Sequence, residues 1–464
     1  MEAFLHPLQG LAEFEEIKKR CGANCGILNV SGCMESQKVH LMYGLSGLFP
    51  YHLILADDER NAKEIYEDYR FYDKNVYFYP AKDLLFFQAD IHGNLLIRQR
   101  MRVIRALLEQ EEVTVVTSID GCMDFLMPLE KIRSRLLHFK SDSVIDLDQL
   151  KEELVELGYE RTGQVELPGQ FSVRGGIIDI YPLTEDNPWR IELWDDEVDS
   201  IRSFDAESQR SLENVDEITI YPAAEKMDGE DMVSFLDYFP EEKTLVFLDE
   251  LNHLAENGEG VEEEYRQSRM HREEKGEANL PEQWLCGFQE LQKKLNRRNC
   301  VAVSALSPRR SGWKINEEFD LTVKSVDSYN SSFELLVKDL LQYKSQGYRI
   351  ALLSGSRTRA ERLAKDLSEE GLNAFYSQDM DRIISPGEIM VVYGHARRGF
   401  QYPLIKFAVM TETDIFGKEQ KKRKKKKKYS GNRIQDFAEL SIGDLVVHEK
   451  HGLGIYRGIE KGRG

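Results

Sequence analysis

The segment CGILNVSGCMES, residues 25–36, decides the fold. Its first half, residues 25–30, is mostly apolar and predicts a buried strand, and a helix is predicted over residues 35–47 after a Ser-Gly turn. The alternation continues, with further strands predicted at 51–56, 76–80 and 113–117 and further helices at 58–70 and 98–109. Buried strands that alternate with amphipathic helices indicate a parallel α/β sheet.

The same segment lies where a phosphate-binding loop would lie. A P-loop reads G-x-x-x-x-G-K-[ST] between a strand and a helix. Here Asn29 and Met34 stand at the two glycine positions, with Gly32 inside the loop. Glu35 stands at the lysine position, so that a negative charge would face the phosphates, while Ser36 keeps the hydroxyl. We interpret the segment as a P-loop position without P-loop function, an unrelated strand-to-helix turn being the alternative.

A second segment has the form of a Walker B strand. In LVFLDE, residues 245–250, four apolar residues are followed by Asp249 and Glu250. In working NTPases the aspartate of such a strand holds Mg²⁺. Together with the degenerate loop, this segment predicts a decayed helicase-type domain. We therefore expect no catalytic residue, no metal and no ATP in this chain.

Residues 126–221 have a different pattern. After a helix predicted at 148–157, short strands separated by Gly, Pro, Asn and Asp are predicted at 171–181, 189–194, 198–204 and 217–221. This pattern is typical of a small β-rich α+β domain, inserted here into the first domain.

Three stretches of the insertion carry a family resemblance. They are GYER at 158–161, GQFSVRGGIIDIYP at 169–182 and IELWDDEVDSIRSFD at 191–205. They resemble the second domain of the excision-repair protein UvrB and the corresponding domain of the transcription-repair coupling factors. In both families this domain binds UvrA.

The resemblance also implies which residues contact UvrA. Arg161 and Arg174 occupy the positions of arginines that contact UvrA in the family, and Ile178 lies where an apolar contact residue is expected. Ser172 stands where UvrB carries an arginine, so the interface would rest on fewer charges. The alternative is that these are ordinary surface arginines, which contribute little by themselves.

The C-terminal half extends the resemblance to the coupling factors. GHARRGF at 394–400 and TETDIFG at 411–417 resemble their third domain, and GDLVVHEKHGLGIY at 443–456 resembles the start of their Tudor-like domain that binds RNA polymerase. The predicted boundaries are 1–125 and 222–330 for the helicase-like domain, 126–221 for the insertion, 331–417 for a third α/β domain, 418–439 for a linker and 440–464 for a truncated last module.

The linker contains KKRKKKKK at 421–428, eight cations in a row. Like charges repel one another, so this run favours a flexible tether, with a weak contact to nucleic-acid phosphates as the second interpretation. About 25 residues cannot bury a core of their own, so the last module is interpreted as cut.

The composition agrees with a protein that docks onto other proteins. The net charge of −19 disfavours a general nucleic-acid binder. No apolar run reaches membrane-spanning length and no signal peptide is recognised, so we expect a cytoplasmic protein. The six cysteines show no zinc-ligand spacing.

The resemblance implies a role in transcription-coupled DNA repair. This region would recruit UvrA to RNA polymerase stalled at DNA damage. Its partners would be UvrA and the polymerase β subunit. The full-length protein would be an ATP-dependent translocase on double-stranded DNA, using ATP and Mg²⁺, that displaces the polymerase. The alternatives are a UvrB-like excision-repair helicase component, against which Glu35 argues, and a CarD-like polymerase-binding regulator, which explains only the last segment.

Overall fold

The computed structural model describes residues 1–21, 25–82, 93–224, 232–275, 285–308, 312–417, 445–448 and 452–455. The chain divides into two compact units, residues 1–417 and 418–464. The mixed α/β class predicted from the sequence is confirmed, because the described residues form one all-parallel sheet as well as other sheets. No helix within the described residues is long and apolar enough to cross a membrane.

The N-terminal part alternates helices and strands as predicted. Its elements are α1 (Glu2–Leu8), α2 (Ala12–Cys21), β1 (Ile27–Ser31), α3 (Glu35–Ser46), β2 (Tyr51–Ala56), α4 (Glu59–Tyr72), β3 (Val76–Tyr79), α5 (Gly93–Glu109), β4 (Val113–Ser118), α6 (Ile119–Cys122), β5 (Phe125–Leu126) and α7 (Leu129–Ser134). The Asp58 side chain caps α4 by accepting a hydrogen bond from the Asn61 backbone N–H, which satisfies a donor that the helix leaves free.

The next segment forms the β-rich unit. Its elements are β6 (Leu137–Lys140), α8 (Leu147–Glu156), β7 (Glu160–Arg161), β8 (Gln170–Arg174), β9 (Ile177–Ile180), β10 (Trp189–Trp194), β11 (Glu197–Phe204), β12 (Ser211–Val215) and β13 (Glu217–Ile220). Six of the strands form one sheet in the order β12-β11-β10-β9-β8-β7, in which all pairs are antiparallel except β7 with β8. Helix α8 and one face of this sheet enclose a separate core that includes Leu154, Phe171 and Ile191.

After this unit the chain returns to the first sheet. The elements are β14 (Val233–Ser234), two short 3₁₀ turns (Phe235–Tyr238 and Glu241–Lys243), β15 (Thr244–Asp249), α9 (Leu251–Lys275), α10 (Phe288–Leu295), β16 (Cys300–Val303) and β17 (Ile315–Asp320). The sheet has the strand order β17-β1-β16-β15-β2-β4-β3, and all of its pairs are parallel. The β-rich unit is therefore an insertion between β4 and β15, which are two strands of one sheet.

The third sheet is mixed. Its part of the chain contains β18 (Lys324–Ser325), α11 (Phe333–Ser345), β19 (Arg349–Ser354), α12 (Arg357–Glu369), β20 (Asn373–Tyr376), β21 (Glu388–Tyr393), β22 (Phe400–Tyr402), β23 (Phe407–Thr411) and α13 (Glu412–Phe416). One hydrophobic cluster includes Val30 of β1, Val39 of α3 and Leu353 of β19. Because α3 shares a core with both sheets, its N-terminus is held between them.

The second unit contributes one hairpin to the described residues. Strands β24 (Leu445–His448) and β25 (Gly452–Ile455) pair in antiparallel fashion. The predicted linker at 418–439, including the basic run, lies outside the described residues, as does most of the predicted last module. The Tudor-like barrel therefore stays a prediction.

Candidate partner-binding face and a closed nucleotide position

The predicted nucleotide position lies between β1 and α3. Gly32 follows the last residue of β1 with φ of +77°, and a Cβ there would come within 2.2 Å of the carbonyl oxygen of Leu321. Asn29 is fully buried and donates from Nδ2 to the Ser31 hydroxyl at 3.0 Å. Helix α3 then begins at Glu35, whose φ is +30°. The strand, turn and helix stand in the predicted order, and the turn packs tightly against the backbone beside it.

A lysine outside the predicted site contacts both carboxylates of the Walker B-like segment. Lys38, three residues after Glu35 on α3, donates from Nζ to Asp249 Oδ1 at 2.7 Å and to Glu250 Oε1 at 2.6 Å. Asp249 also accepts from Asn61 Nδ2 at 2.7 Å. The ammonium and the Asp249 carboxylate are both buried, so the pair lies in the interior.

Burial and attraction act against each other in this pair. Burial lowers the pKa of Lys38, but the attraction of Asp249 and Glu250 outweighs it, so that the pKa is raised above its usual value. Burial raises the pKa of Asp249, and the Lys38 ammonium opposes that shift. Since desolvated charges of opposite sign depend on one another, each partner needs the other to stay charged inside the protein.

The start of α3 is covered from the side of the third sheet. The Ser36 hydroxyl donates to Asp68 Oδ2 at 2.7 Å and accepts from the Arg398 backbone N–H at 3.1 Å. Arg397 binds Asp68 through its backbone N–H at 3.0 Å and its Nε at 3.2 Å. Glu35 lies 3.7 Å from the Arg398 guanidinium. The Ser36 hydroxyl, which would contact Mg²⁺ in a P-loop, is therefore hydrogen-bonded to other residues of the protein.

These residues do not fit a Mg²⁺–nucleotide. The loop lacks the phosphate-binding lysine, and Met34 caps α3 at the second glycine position, where its N–H donates to Gln37. The carboxylates that would hold the metal already pair with Lys38. The position of Lys38, one helical turn after Glu35, is a sequence signal from which its contact with the two carboxylates could have been predicted. No local signal could have found the Arg397–Asp68 contact, which joins residues 329 apart.

The second predicted site lies on the hairpin formed by β8 and β9. A turn at Gly175 and Gly176 joins the strands, and Gly175 has φ of +62°, a conformation that glycine adopts without strain. The turn is two residues long, so Arg174 pairs with Ile177 across it. Side chains alternate along a strand, which puts Arg174 and Ile177 on the face turned away from the core.

A buried carboxylate holds Arg174 on this outer face. Asp179 of β9 is fully buried and accepts from Arg174 Nη2 at 2.6 Å. It also accepts from Arg190 of β10, through Nε at 2.7 Å and Nη2 at 2.9 Å. The Arg190 guanidinium lies over the Phe204 ring, 4.3 Å from its centroid. One carboxylate thus orders two guanidinium groups, and the Arg174 side chain stays 46% exposed.

The structure corrects the predicted role of Ile178. This side chain is fully buried in the core of the β-rich unit, opposite Val173, and cannot contact a partner from there. The prediction of an apolar contact residue four positions after Arg174 was wrong because the two-residue turn reverses the chain. Ile177, which is half-buried, is the apolar neighbour of Arg174 on the outer face.

Arg161 lies on β7, at the edge of the same sheet. It is exposed and in register with Phe171, three residues from Arg174 along β8. Because Phe171 faces the core, this register places Arg161 and Arg174 on opposite sides of the pleat. The sheet edge is therefore where one partner can reach both arginines.

Comparisons with known proteins give matches over both the β-rich unit and the C-terminal segment. A family model described as the UvrB interaction domain matches residues 137–225, which include Arg174, Asp179 and Arg190. A model described as the CarD-like/TRCF RID domain matches residues 440–463. The transcription-repair-coupling factor of Bacillus subtilis is 28% identical over 93% of this chain and 43% of its own length. Those of Staphylococcus aureus and Staphylococcus epidermidis are 26% and 27% identical over 83% and 88% of the chain, and 38% and 40% of their own lengths.

The fold and the family-model match define a chain that carries a UvrB-type interaction domain within an α/β framework. The resemblance to the N-terminal region of the transcription-repair-coupling factors, stated from the sequence, is confirmed by these matches. The chain spans less than half the length of the curated relatives it matches.

Proposed function

We propose that this chain serves in transcription-coupled DNA repair, as the region of a transcription-repair-coupling factor that recruits UvrA to RNA polymerase stalled at damage. The match to the UvrB interaction domain supports the first partner, and the match to the CarD-like/TRCF RID domain supports the second, through the polymerase β subunit. The full-length protein is an ATP-dependent translocase on double-stranded DNA that displaces the polymerase, and it acts in the cytoplasm.

The observation that carries the UvrA proposal is the half-exposed guanidinium of Arg174, held in place by buried Asp179. An arginine fixed by a neighbouring carboxylate loses less freedom when it binds a second carboxylate. Arg190 supplies a second positive charge to the same carboxylate, so the cluster has an excess of positive charge. It therefore attracts an acidic surface, and Arg161 extends the contact around the sheet edge.

Titration of UvrA with the whole chain and its variants tests this proposal. Arg174→Ala should weaken binding by at least about tenfold, or about 1.4 kcal/mol, because truncating one partner of a partly desolvated charge pair is costly. Arg161→Ala should have an equal or smaller effect. Both variants should keep the fold in a thermal melt, because Arg161 is exposed and because Arg190 still pairs with Asp179 when Arg174 is removed.

The matched control is Arg210→Ala, which removes an exposed arginine next to β12, at the other edge of the sheet. Its affinity should stay within about twofold of the wild-type value, since isolated surface charges contribute little. Undiminished binding by the Arg161→Ala/Arg174→Ala double variant would remove the site assignment. Absence of UvrA binding by the wild-type chain would remove the functional proposal itself.

We also propose that this chain binds neither ATP nor Mg²⁺ at the degenerate loop and that its own residues catalyse no reaction. The proposal is supported by Glu35 at the lysine position and by the pairing of Lys38 with Asp249 and Glu250. Calorimetric titration with Mg-ATP should give no binding tighter than about millimolar, equivalent to about −4 kcal/mol. An ATPase with an intact P-loop is the positive control, and micromolar binding by this chain would contradict the proposal.

A further inference from the structure

The most exposed tryptophan described in this chain lies in the β-rich unit. Trp194, the last residue of β10, is 81% exposed, whereas Trp313 is 4% exposed. Tryptophan is highly buried on average, and an isolated ring left in water costs hydrophobic free energy. Tryptophan is also enriched among the residues that dominate binding at protein interfaces.

The strand pattern explains why this ring stays outside the core. Along β10, Ile191 and Leu193 pack into the core of the unit, so Arg190, Glu192 and Trp194 lie on the outer face. The extra residue of the bulge belongs to β11, which leaves the alternation of β10 intact up to the turn. The outward position of Trp194 is therefore set by the register of the sheet.

Trp194 and Arg174 share this outer face at the same end of the sheet. Arg174 pairs with Ile177, and Ile177 pairs with Glu192, two residues before Trp194. The backbone N–H of Leu193 donates to the carbonyl oxygen of Gly176 in the neighbouring turn at 2.8 Å. From strand spacing and rise per residue, the Cα atoms of Arg174 and Trp194 lie about 12 Å apart. One protein surface can cover both side chains.

A second exposed apolar side chain, Val144, lies two strands away from the tryptophan. Trp194 pairs with Glu197 across the β10–β11 hairpin, and Glu197 forms a bridge with Val144 on its other side. Val144 is 71% exposed. We call Trp194 and Val144, with Glu197 between them, the hairpin patch.

The charges around the hairpin patch restrict what can cover it. Asp195, Asp196, Glu197 and Asp199 follow the tryptophan directly, without a basic residue among them. This acidic surface repels nucleic-acid phosphates. It complements a protein pocket with apolar walls and a rim of lysine or arginine side chains. Arg174 lies on the same face, about 12 Å from Trp194, and there the partner must supply negative charge.

We propose that the hairpin patch is the apolar anchor of the surface that docks UvrA, with Trp194 inserted into an apolar pocket whose rim is basic. This inference rests on the proposed function, since it takes the partner from there. It gives the docking surface the hydrophobic contact that the buried Ile178 cannot supply. A pattern of apolar, acidic and basic contacts on one face also fixes the orientation of the partner, which two arginines alone do not.

The test is a titration of UvrA with the whole chain carrying Trp194→Ala, Trp194→Phe or the matched control Leu212→Ala. Leu212 is an exposed apolar residue, 57% exposed, on edge strand β12 of the same sheet. Trp194→Ala should weaken binding by at least about tenfold, as expected for an aromatic anchor. Trp194→Phe should fall between that variant and the wild type, and Leu212→Ala should stay within about twofold. Thermal melts should show all three variants folded, because neither side chain is in the core.

The outcomes separate this inference from the proposed function. If Arg174→Ala weakens UvrA binding and Trp194→Ala does not, the anchor is wrong and the proposed function stands. If the wild-type chain binds no UvrA, the proposed function fails and the anchor fails with it. Sedimentation of the chain alone gives a third readout: self-association that Trp194→Ala abolishes would make a second copy the occupant and overturn UvrA in that role.

Discussion

Two of the charged clusters described above combine cations and carboxylates in opposite ratios. At the degenerate loop one cation, Lys38, serves two carboxylates, and its side chain is 11% exposed. On the outer face of the β-rich unit one carboxylate, Asp179, serves two guanidinium groups, and Arg174 is 46% exposed. The first cluster is closed, because its charges meet inside the protein. The second is open, because one of its cations still faces water.

This difference separates a structural cluster from a binding one. A buried ion pair gives little net stability compared with apolar packing, but removing one partner is expensive. An exposed charge held by a buried one contributes little to stability and is available to another molecule. The two clusters should therefore respond to substitution in different assays, the first in unfolding and the second in binding.

Lys38→Met should produce the largest effect on stability. The substitution leaves buried Asp249 beside Glu250 without a cation, and breaking a buried pair in this way costs about 3–5 kcal/mol. Chemical unfolding of the variant at pH 7 measures the loss. The control is Lys365→Met, which removes an exposed lysine, 76% exposed, from α12 and should change stability by less than about 0.5 kcal/mol.

The effect of Lys38→Met should depend on pH in one direction. Burial raises the pKa of Asp249 above its usual 3.8 even with Lys38 present, and losing the ammonium removes a group that lowers it. A carboxyl whose pKa is higher in the folded state binds protons on folding, so stability falls as the pH rises above 3.8. The deficit relative to the wild type should therefore shrink as the pH is lowered from 7 toward that value. An equal deficit at every pH would show that the ion pair is not its cause.

Much of the local structure could be predicted from the sequence. The strands at 51–56 and 189–194 were predicted with the bounds observed, because apolar patterns between turn residues define them. Strands β12, β16 and β17 were missed. β12 is almost wholly exposed, β16 has four residues, and β17 has only two apolar side chains, Ile315 and Phe319, at a sheet edge. β16 and β17 both pair with β1, near the start of the chain, so no local pattern marks their place in the sheet. β12 pairs with the preceding strand β11, but it has no buried face that an apolar pattern could mark.

The site was predictable only where its chemistry is local. Glu35, Asp249 and the exposed Arg174 could be identified from motifs and resemblance, but what they contact depends on tertiary structure. The Lys38–Asp249 contact spans 211 residues. The error at Ile178 has a different origin, because a two-residue turn decides which of two adjacent isoleucines faces the core. One residue of register moves a side chain to the other face of a sheet.

Asp179→Asn should have a smaller effect on stability than Lys38→Met. Asparagine keeps the size and one acceptor of the carboxyl group, and Arg174 can extend into water. The main cost is the loss of charge opposite Arg190, which is 13% exposed, and we expect about 1–3 kcal/mol in unfolding. The control is Asp216→Asn, an exposed aspartate at the end of β12, which should be nearly neutral. A larger loss than that of Lys38→Met would contradict the distinction between an open and a closed cluster.

The binding assay distinguishes positioning from mere structural support. If Asp179 acts on UvrA by holding Arg174, Asp179→Asn should weaken binding by about threefold, or about 0.7 kcal/mol, in the wild-type chain. In the Arg174→Ala background the same change should have almost no further effect, because the side chain that it positions is gone. A purely structural role would give equal losses in both backgrounds, since the loss would come from the sheet itself. Such additivity would mean that Arg174 still contacts UvrA but that Asp179 does not position it. Asp179 would then have only a structural role, as Lys38 does.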